Sequence, residues 1–415
     1  MDIIKKMLKD IPLPIMVKVE QKFHAPELAC VASEVHKVIV QANVLDRITK
    51  GDRVAIAVGS RGVADIEILV REVVKVVKSV GANPFIVPAM GSHGGASGEG
   101  QKEVLEDLGI TEEFVDAPII SSMEVVKIGK LPNGLPVYVD KHAYEADQVI
   151  IINRIKAHTA FRGPVESGLL KMLTIGLGKQ KGAEAAHLYG FEHMANHVPE
   201  MAKIILKKVN FLFGLGSIEN AYDHIAKIVA LPAERIIAEE PDLLLEAKDL
   251  MAKLMFKKID VLVVDEIGKD ISGDGMDPNI TGRYATPYAT GGPDVRKIVV
   301  LGLTKKTHGN ANGLGLADIT TKDVFDSIEW HKGYANSLTS TVTNVVKVPM
   351  FMETSELAVK AGVKTCNTLD MKKVRIVRIK NTLDIKEIWV SEALIEEIKD
   401  RNEFEILSQP TIMSY

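Results

Sequence analysis

Cysteine is nearly missing from this chain of 415 residues: Cys30 and Cys366 stand alone and far apart. They form neither a CxxC metal or redox motif nor the paired framework of a small secreted domain, so two idle thiols in a reducing compartment are expected. Long apolar runs are missing too. No stretch approaches the roughly 18 residues that a membrane-spanning helix needs. The first turns mix Ile with Lys and include Asp2, Asp10, Pro12 and Pro14, which is not the apolar core of a secretory signal. A soluble, cytoplasmic protein is the expectation. Charge of one sign is not in excess either: 51 Lys+Arg against 55 Asp+Glu leave a net charge of −4. Nucleic-acid binders usually carry a basic surplus, so neither nucleic acid nor membrane is expected as a partner.

What is present is an ordinary globular composition, 46% hydrophobic and 26% charged, in a chain long enough for two domains. Short β-rich runs alternate with helical spacing. Arg53–Val58 (RVAIAV) is almost continuously apolar, as in a strand buried on both faces. Apolar residues at Ile66, Leu69, Val70, Val73 and Val77 predict a helix over 65–80. Further strands are predicted at 84–87, 148–152 and 260–264, and Asn133-Gly134 predicts a hairpin between 125–128 and 137–139. A helix is predicted over 241–256, with Pro241 in its first turn. Beyond it come strands at 297–301 and 374–379 and helices at 322–334 and 355–362. The fold class is α/β: residues 1–257 as an N-terminal domain with a Rossmann-like, mostly parallel sheet, and residues 258–415 as a second α/β domain closing a cleft that holds the active site.

Glycine-rich or histidine-bearing segments follow the predicted strands, where α/β sheets bind ligands. Gly59-Ser60-Arg61-Gly62 offers small residues and an arginine that suits a carboxylate or phosphate. Gly91-Ser92-His93-Gly94-Gly95 leaves a histidine bare between glycines, as a general acid or base needs. The densest segment holds Arg154, Lys156, His158, Arg162, Lys171, Lys179 and Lys181 among glycines that include Gly176 and Gly178, then His187. That cationic run suits an anionic ligand such as a nucleotide phosphate. It lacks the Lys-Ser/Thr end of a Walker A motif, and no GxGxxG follows a strand. Lys171 lies among Leu169, Leu170, Met172 and Leu173, a setting that either buries an amine as a nucleophile or lets it snorkel to water. His193 and His197 share a helical spacing without the HExxH pattern of a zinc protease. In the second half, Asp274, Asp277 and Asn279 resemble part of a calcium loop whose glycine and glutamate spacing fails. Arg283 and His308 follow in loops of the same region.

In this order the motifs resemble the lactate racemase family that uses a nickel-pincer nucleotide. The likeness is good over residues 50–190. It implies that Arg61 holds a substrate carboxylate and that His93 and His158 alternate as acid and base. It implies that Lys171 tethers the nucleotide, that Gly176, Gly178 and Lys179 help to bind it, and that His187 ligates nickel. The chemistry implied is racemisation or epimerisation of a small-molecule 2-hydroxy acid by removal and return of hydride at C2. This chain departs from the family in the turn Val58-Gly59-Ser60-Arg61-Gly62, in Ala157 where a proline is usual, and in Arg162, Pro164 and Glu166 between His158 and Lys171. The family's lactate-contacting residues of the second domain also have no obvious counterpart, Gly275-Met276-Asp277-Pro278-Asn279 and His308-Gly309-Asn310 standing there instead, and these departures point to a hydroxy acid other than lactate, a larger one or a sugar acid. A nicotinamide-dependent oxidoreductase and a non-catalytic anion- or nucleotide-binding protein are the alternatives, and a homo-oligomer is compatible with either.

Overall fold

The apolar runs become buried strands. In the computed structural model, which describes residues 2–59 and 62–414, every residue of Arg53–Val58 after Arg53 is buried. The chain divides into two compact units, His24–Met251 and a second made of Met1–Phe23 with Ala252–Tyr415. Among the described residues the first unit carries a five-stranded sheet in the order Asn83–Pro88, Arg53–Val58, Gln148–Arg154, Phe211–Glu219, Ile225–Pro232. All of its neighbours pair in parallel except the last two. The register sets Ile56 beside both Ile86 and Ile150. Helix Ile66–Ser79 buries Ile66, Leu69, Val70, Val73 and Val77 against one face. On the other face lie the 155–177 segment and the helices Met194–Lys208 and Ile236–Leu250. The Val125–Lys130 and Pro136–Asp140 strands form the predicted hairpin, with Gly134 at a φ of 92°.

The second unit holds a larger mixed sheet. Its strands run Met350–Met352, Ile319–Thr321, Asp294–Val300, Lys258–Val264, Ile376–Ile379, Glu387–Ser391, Ile15–Gln21, Phe404–Ile406, and Thr411–Ile412 also pairs with Ile15–Gln21. The first five are parallel and the rest antiparallel.

Three expectations change. The first 23 residues belong with the C-terminal part, because Ile15–Gln21 pairs with Glu387–Ser391; the chain divides after Met251 and not at 257. The helix expected over 241–256 runs from Ile236 to Leu250 with Pro241 inside it. The helix expected over 322–334 is two, Lys322–Asp326 and Trp330–Ser340. No helix among the described residues is long and apolar enough to cross a membrane.

Candidate functional site

Chain order reverses across the first sheet at Arg53–Val58, which lies between Asn83–Pro88 and Gln148–Arg154. Crevices at the carboxyl ends of such strands are where open α/β sheets bind ligands. Gly59, the His93 loop and the 153–171 segment all leave the sheet there.

Leu169–Lys171 is a single helical turn that continues into a π-helical turn, Met172–Gly176. It is seated on the sheet because Gly214 has no side chain: a Cβ there would lie 2.8 Å from Leu169 Cδ1. Its amino end is held by Glu240, whose Oε2 accepts the Leu170 N–H at 2.9 Å. Glu240 is 1% exposed. Burial pushes its carboxyl up to about 7, against the pull of the Leu170 and Leu169 N–H groups. Asn153 Nδ2 donates to the Gly168 carbonyl at 3.2 Å. The last residue of the turn, half-buried Lys171, therefore starts from a fixed backbone.

His158 sits in a loop organised around Glu166, which is 1% exposed. Glu166 accepts the His158 N–H at 2.8 Å, the Gly163 N–H at 3.4 Å, an Arg162 N–H at 3.2 Å and the Lys248 ammonium at 2.7 Å. The ring is half-buried and lies 4.5 Å from that of Phe161 and 6.0 Å from that of Phe191, centre to centre. Its Nδ1 accepts the Ala160 N–H at 3.0 Å. An accepting Nδ1 carries no proton, so the neutral ring holds its proton on Nε2.

His187 has the opposite tautomer. Its Nδ1 lies 2.7 Å from the Ala183 carbonyl oxygen, one helical turn back. A carbonyl only accepts, so Nδ1 donates and Nε2 keeps its lone pair. Burial pulls the imidazole below its ordinary value, the Ala183 carbonyl opposes this, and the nearby Lys171 ammonium adds to the lowering. Phe191 meets the His187 ring edge-on at 5.4 Å. Phe191 thus touches both His158 and His187, and Lys171 lies close enough to act on His187. These three expected residues come together.

His93 is exposed, at the start of the turn Gly94–Ala96. Its loop is tied to the Lys171 segment by the Gly91 N–H, which donates to the Gly176 carbonyl at 3.1 Å. Gly59 packs there too: a Cβ on it would lie 2.5 Å from Met172 Cε. Arg61 and Ser60 lie outside the described residues.

The expected phosphate cradle is not what the glycine-rich run forms. A Cβ at Gly176 would lie 2.5 Å from the Ala89 carbonyl oxygen, and one at Gly178 would lie 2.7 Å from that of Thr174. Both glycines serve close backbone packing. Lys179 is fully buried, with its ammonium against the Pro88 carbonyl, Gln101 Oε1 at 3.0 Å and Asp140 Oδ2 at 3.3 Å. The Pro88 carbonyl and Gln101 Oε1 accept hydrogen bonds from it and the Asp140 carboxylate is its counter-ion, so the ammonium is already engaged inside the protein. Arg154 is likewise paired, with Glu219, and Arg162 with Glu166. Three cations of the run are thus paired with carboxylates, Arg154 and Lys179 with ones distant in sequence and Arg162 with Glu166 four residues on.

His193 and His197 do stack, at 5.4 Å. Asn133 Oδ1 accepts the Leu135 N–H, so its Nδ2 donates to His197 Nε2 at 2.9 Å. His197 is thereby engaged and buried. In the other unit Asp277 caps the turn Pro278–Thr281. Arg283 pairs with Asp318 and donates to main-chain carbonyls. His308 is exposed at a φ of 48°. Among the described residues no group of three His, Cys, Asp or Glu is arranged to hold a metal ion. Glu166, Glu240, Gln101 and Phe191 are the site residues that sequence reading missed as such. Gln101 lies in the polar run Gly98–Asp107 and Glu240 beside Glu239, so no local pattern set them apart.

Residues 9–198 match the family model described as the lactate racemase N-terminal domain, just under half of the chain. Over that stretch, which contains every residue of the site described above except Glu240, Lys248 and the sheet's last strands, the chain is lactate racemase-like. A solved structure, the lactate racemase apoprotein from Thermoanaerobacterium thermosaccharolyticum, is similar with 14% identity and a TM-score of 0.47, over 94% of this chain and 97% of that one. No curated protein matches the chain.

Proposed function

We propose that this chain is a racemase or epimerase of a 2-hydroxy acid that works with a lysine-tethered nickel-pincer nucleotide. The observation that carries the reading is the state of His187: a neutral imidazole, its Nδ1 spent on the Ala183 carbonyl and its Nε2 lone pair kept, beside the Lys171 amine. Metal-ligating histidines usually donate their other ring N–H in this way. One protein ligand suffices where the group brings its own sulfur and carbon donors, so the residues present fit it. Lys171 would hold the nucleotide and His187 its nickel. The Gly176–Lys179 stretch has no part in that assignment.

That group, when bound, supplies the acceptor and the donor of the C2 hydride, which spares the site a carbanion. The protein's share is then proton handling and orientation. His158, held with its proton on Nε2, serves as the acid on one side of C2. His93, on its exposed loop, serves as the base on the other, and the roles exchange for the opposite enantiomer. The Ala160 N–H has to leave Nδ1 before His158 can accept a proton at Nε2. Arg61 is assigned the substrate carboxylate on its motif alone. Phe161 and Phe191 give the His158 side of the site an apolar wall.

The test is intact-protein mass spectrometry with nickel analysis, on protein from its native host or from a host supplied with the cofactor pathway. A mass increment on Lys171, nickel in proportion to chain, and loss of the nickel in His187→Ala are expected. An unmodified, nickel-free chain, under conditions that load a known relative, would sink the mechanism and bring the oxidoreductase and binding-protein readings forward.

A further inference from the structure

We propose that Lys179 and Gln101 are positioning residues that hold His93 in place for proton transfer. The inference rests on the functional reading above, which makes His93 an acid–base group.

The geometry starts from a buried ion pair whose carboxylate also caps the turn Lys141–Tyr144, Oδ1 accepting the Ala143 N–H at 3.0 Å. Lys179 and Asp140 have side chains that are both 0% exposed. Pairs of this kind are often replaceable by apolar residues without loss of stability. Lys179 moreover holds a left-handed backbone, φ 54°, which an L residue adopts under strain. Its ammonium nevertheless faces three defined oxygens. One is the carbonyl of Pro88, where the Asn83–Pro88 strand ends and the His93 loop begins. Another is Oε1 of Gln101, itself fully buried.

An ammonium only donates, so it fixes which way the Gln101 amide faces. Oε1 must point to Lys179, and Nε2 must point away. Nε2 then donates to the Gly91 carbonyl at 2.9 Å and to the His93 carbonyl at 3.3 Å. The cation thus grips the loop at its entrance directly, and at Gly91 and His93 through one amide. The loop is pressed on helix Gly98–Asp107 closely enough that a Cβ on Gly94 would lie 2.6 Å from the Gly100 carbonyl carbon. Preorganisation of this kind is what a transferring group needs.

The decisive variant is Gln101→Glu. It keeps an acceptor for Lys179 and deletes both N–H bonds to the loop. Lys179→Met with Asp140→Asn deletes the cation without leaving an unpaired buried charge. Hydrogen exchange of the Gly91, His93 and Ala96 amides is measured alongside that of the Gln148–Arg154 strand. The C2 inversion rate and nickel per chain are measured on loaded protein. In both variants the loop amides are expected to exchange on the order of tenfold faster, with the strand unchanged. kcat is expected to fall by about 10–100-fold at unchanged nickel content. Loop amides at wild-type rates, or a rise shared equally by the strand, would overturn the clamp. If the loaded wild type inverts no 2-hydroxy acid, the functional reading fails, and the exchange result alone then decides whether the clamp exists.

Discussion

The backbone N–H of Ala160 donates to Nδ1 of His158 at 3.0 Å, two residues away, and so decides which nitrogen of the ring carries the proton. The neutral His158 is expected to show a protonated Nε2 and a bare Nδ1 in nitrogen NMR of histidine-labelled protein. The reverse pattern would mean that this histidine is a ready base and needs no rearrangement. His158→Gln, which cannot relay a proton, should lower the C2 inversion rate by about 10²–10⁴-fold.

Glu240 should give stability a visible pH dependence. Its folded-state carboxyl is raised from 4.5 to about 7 by burial, so the folded chain binds the proton more tightly than the unfolded one. The contribution is therefore complete below pH ~4.5 and is lost as pH rises through about 7. Wild type is expected to lose on the order of 1–3 kcal/mol between pH 5 and 8 relative to Glu240→Gln. Urea denaturation of the two proteins at both pH values checks this, and parallel pH curves would contradict it.

Removing Glu166 strips a buried acceptor from the His158 and Gly163 N–H groups and from two cations. Arg162 and Lys248 can turn to water, but the His158 N–H is left without its acceptor. Glu166→Ala should destabilise by about 2–4 kcal/mol. The His158 ring resonances should broaden or shift even where the chain stays folded. A variant with wild-type midpoint and wild-type histidine spectra would show that Glu166 organises nothing.

At Gly176 even a methyl group is too large. A Cβ there meets the Ala89 carbonyl oxygen and Met172 Sδ, both at 2.5 Å. Gly176→Ala should cost about 1–3 kcal/mol, read from the thermal midpoint. It should also disturb the Gly91-to-Gly176 hydrogen bond that joins the His93 loop to the Lys171 segment. Gly134→Ala offers a contrast, because space there is open and only the positive φ is at issue.

Much of the fold was legible in the sequence. Arg53–Val58, Gln148–Arg154 and Lys258–Val264 are covered on both faces, so they read as apolar runs with little alternation. The helix at Ile66–Ser79 was plain from one apolar face. The rest depends on contacts between distant residues. Reading Pro241 as the first residue of its helix put Glu240 outside it, and hid the group that caps the Lys171 turn. Lys179, followed by Gln180 and Lys181, reads as part of a cationic run for an anionic ligand. Its burial is set by Pro88, Gln101 and Asp140, which no local pattern connects. The order of His93, His158, Lys171 and His187 was visible. Which nitrogen each histidine offers was not, because that rests on the carbonyl of Ala183 and the amide of Ala160.

The strand Ile15–Gln21 finds its neighbours among Glu387–Ser391, Phe404–Ile406 and Thr411–Ile412. During synthesis it leaves the ribosome near the beginning, and those partners near the end. At typical elongation rates it waits tens of seconds with both edges open. The intervening His24–Met251 unit can complete its own core in that interval. The chain therefore closes like a clasp, its middle finished before its two ends meet. Cutting the gene anywhere between the halves would orphan one arm of that clasp, whereas a new chain start placed at His24, where the first unit begins, would not separate the middle from its own sheet.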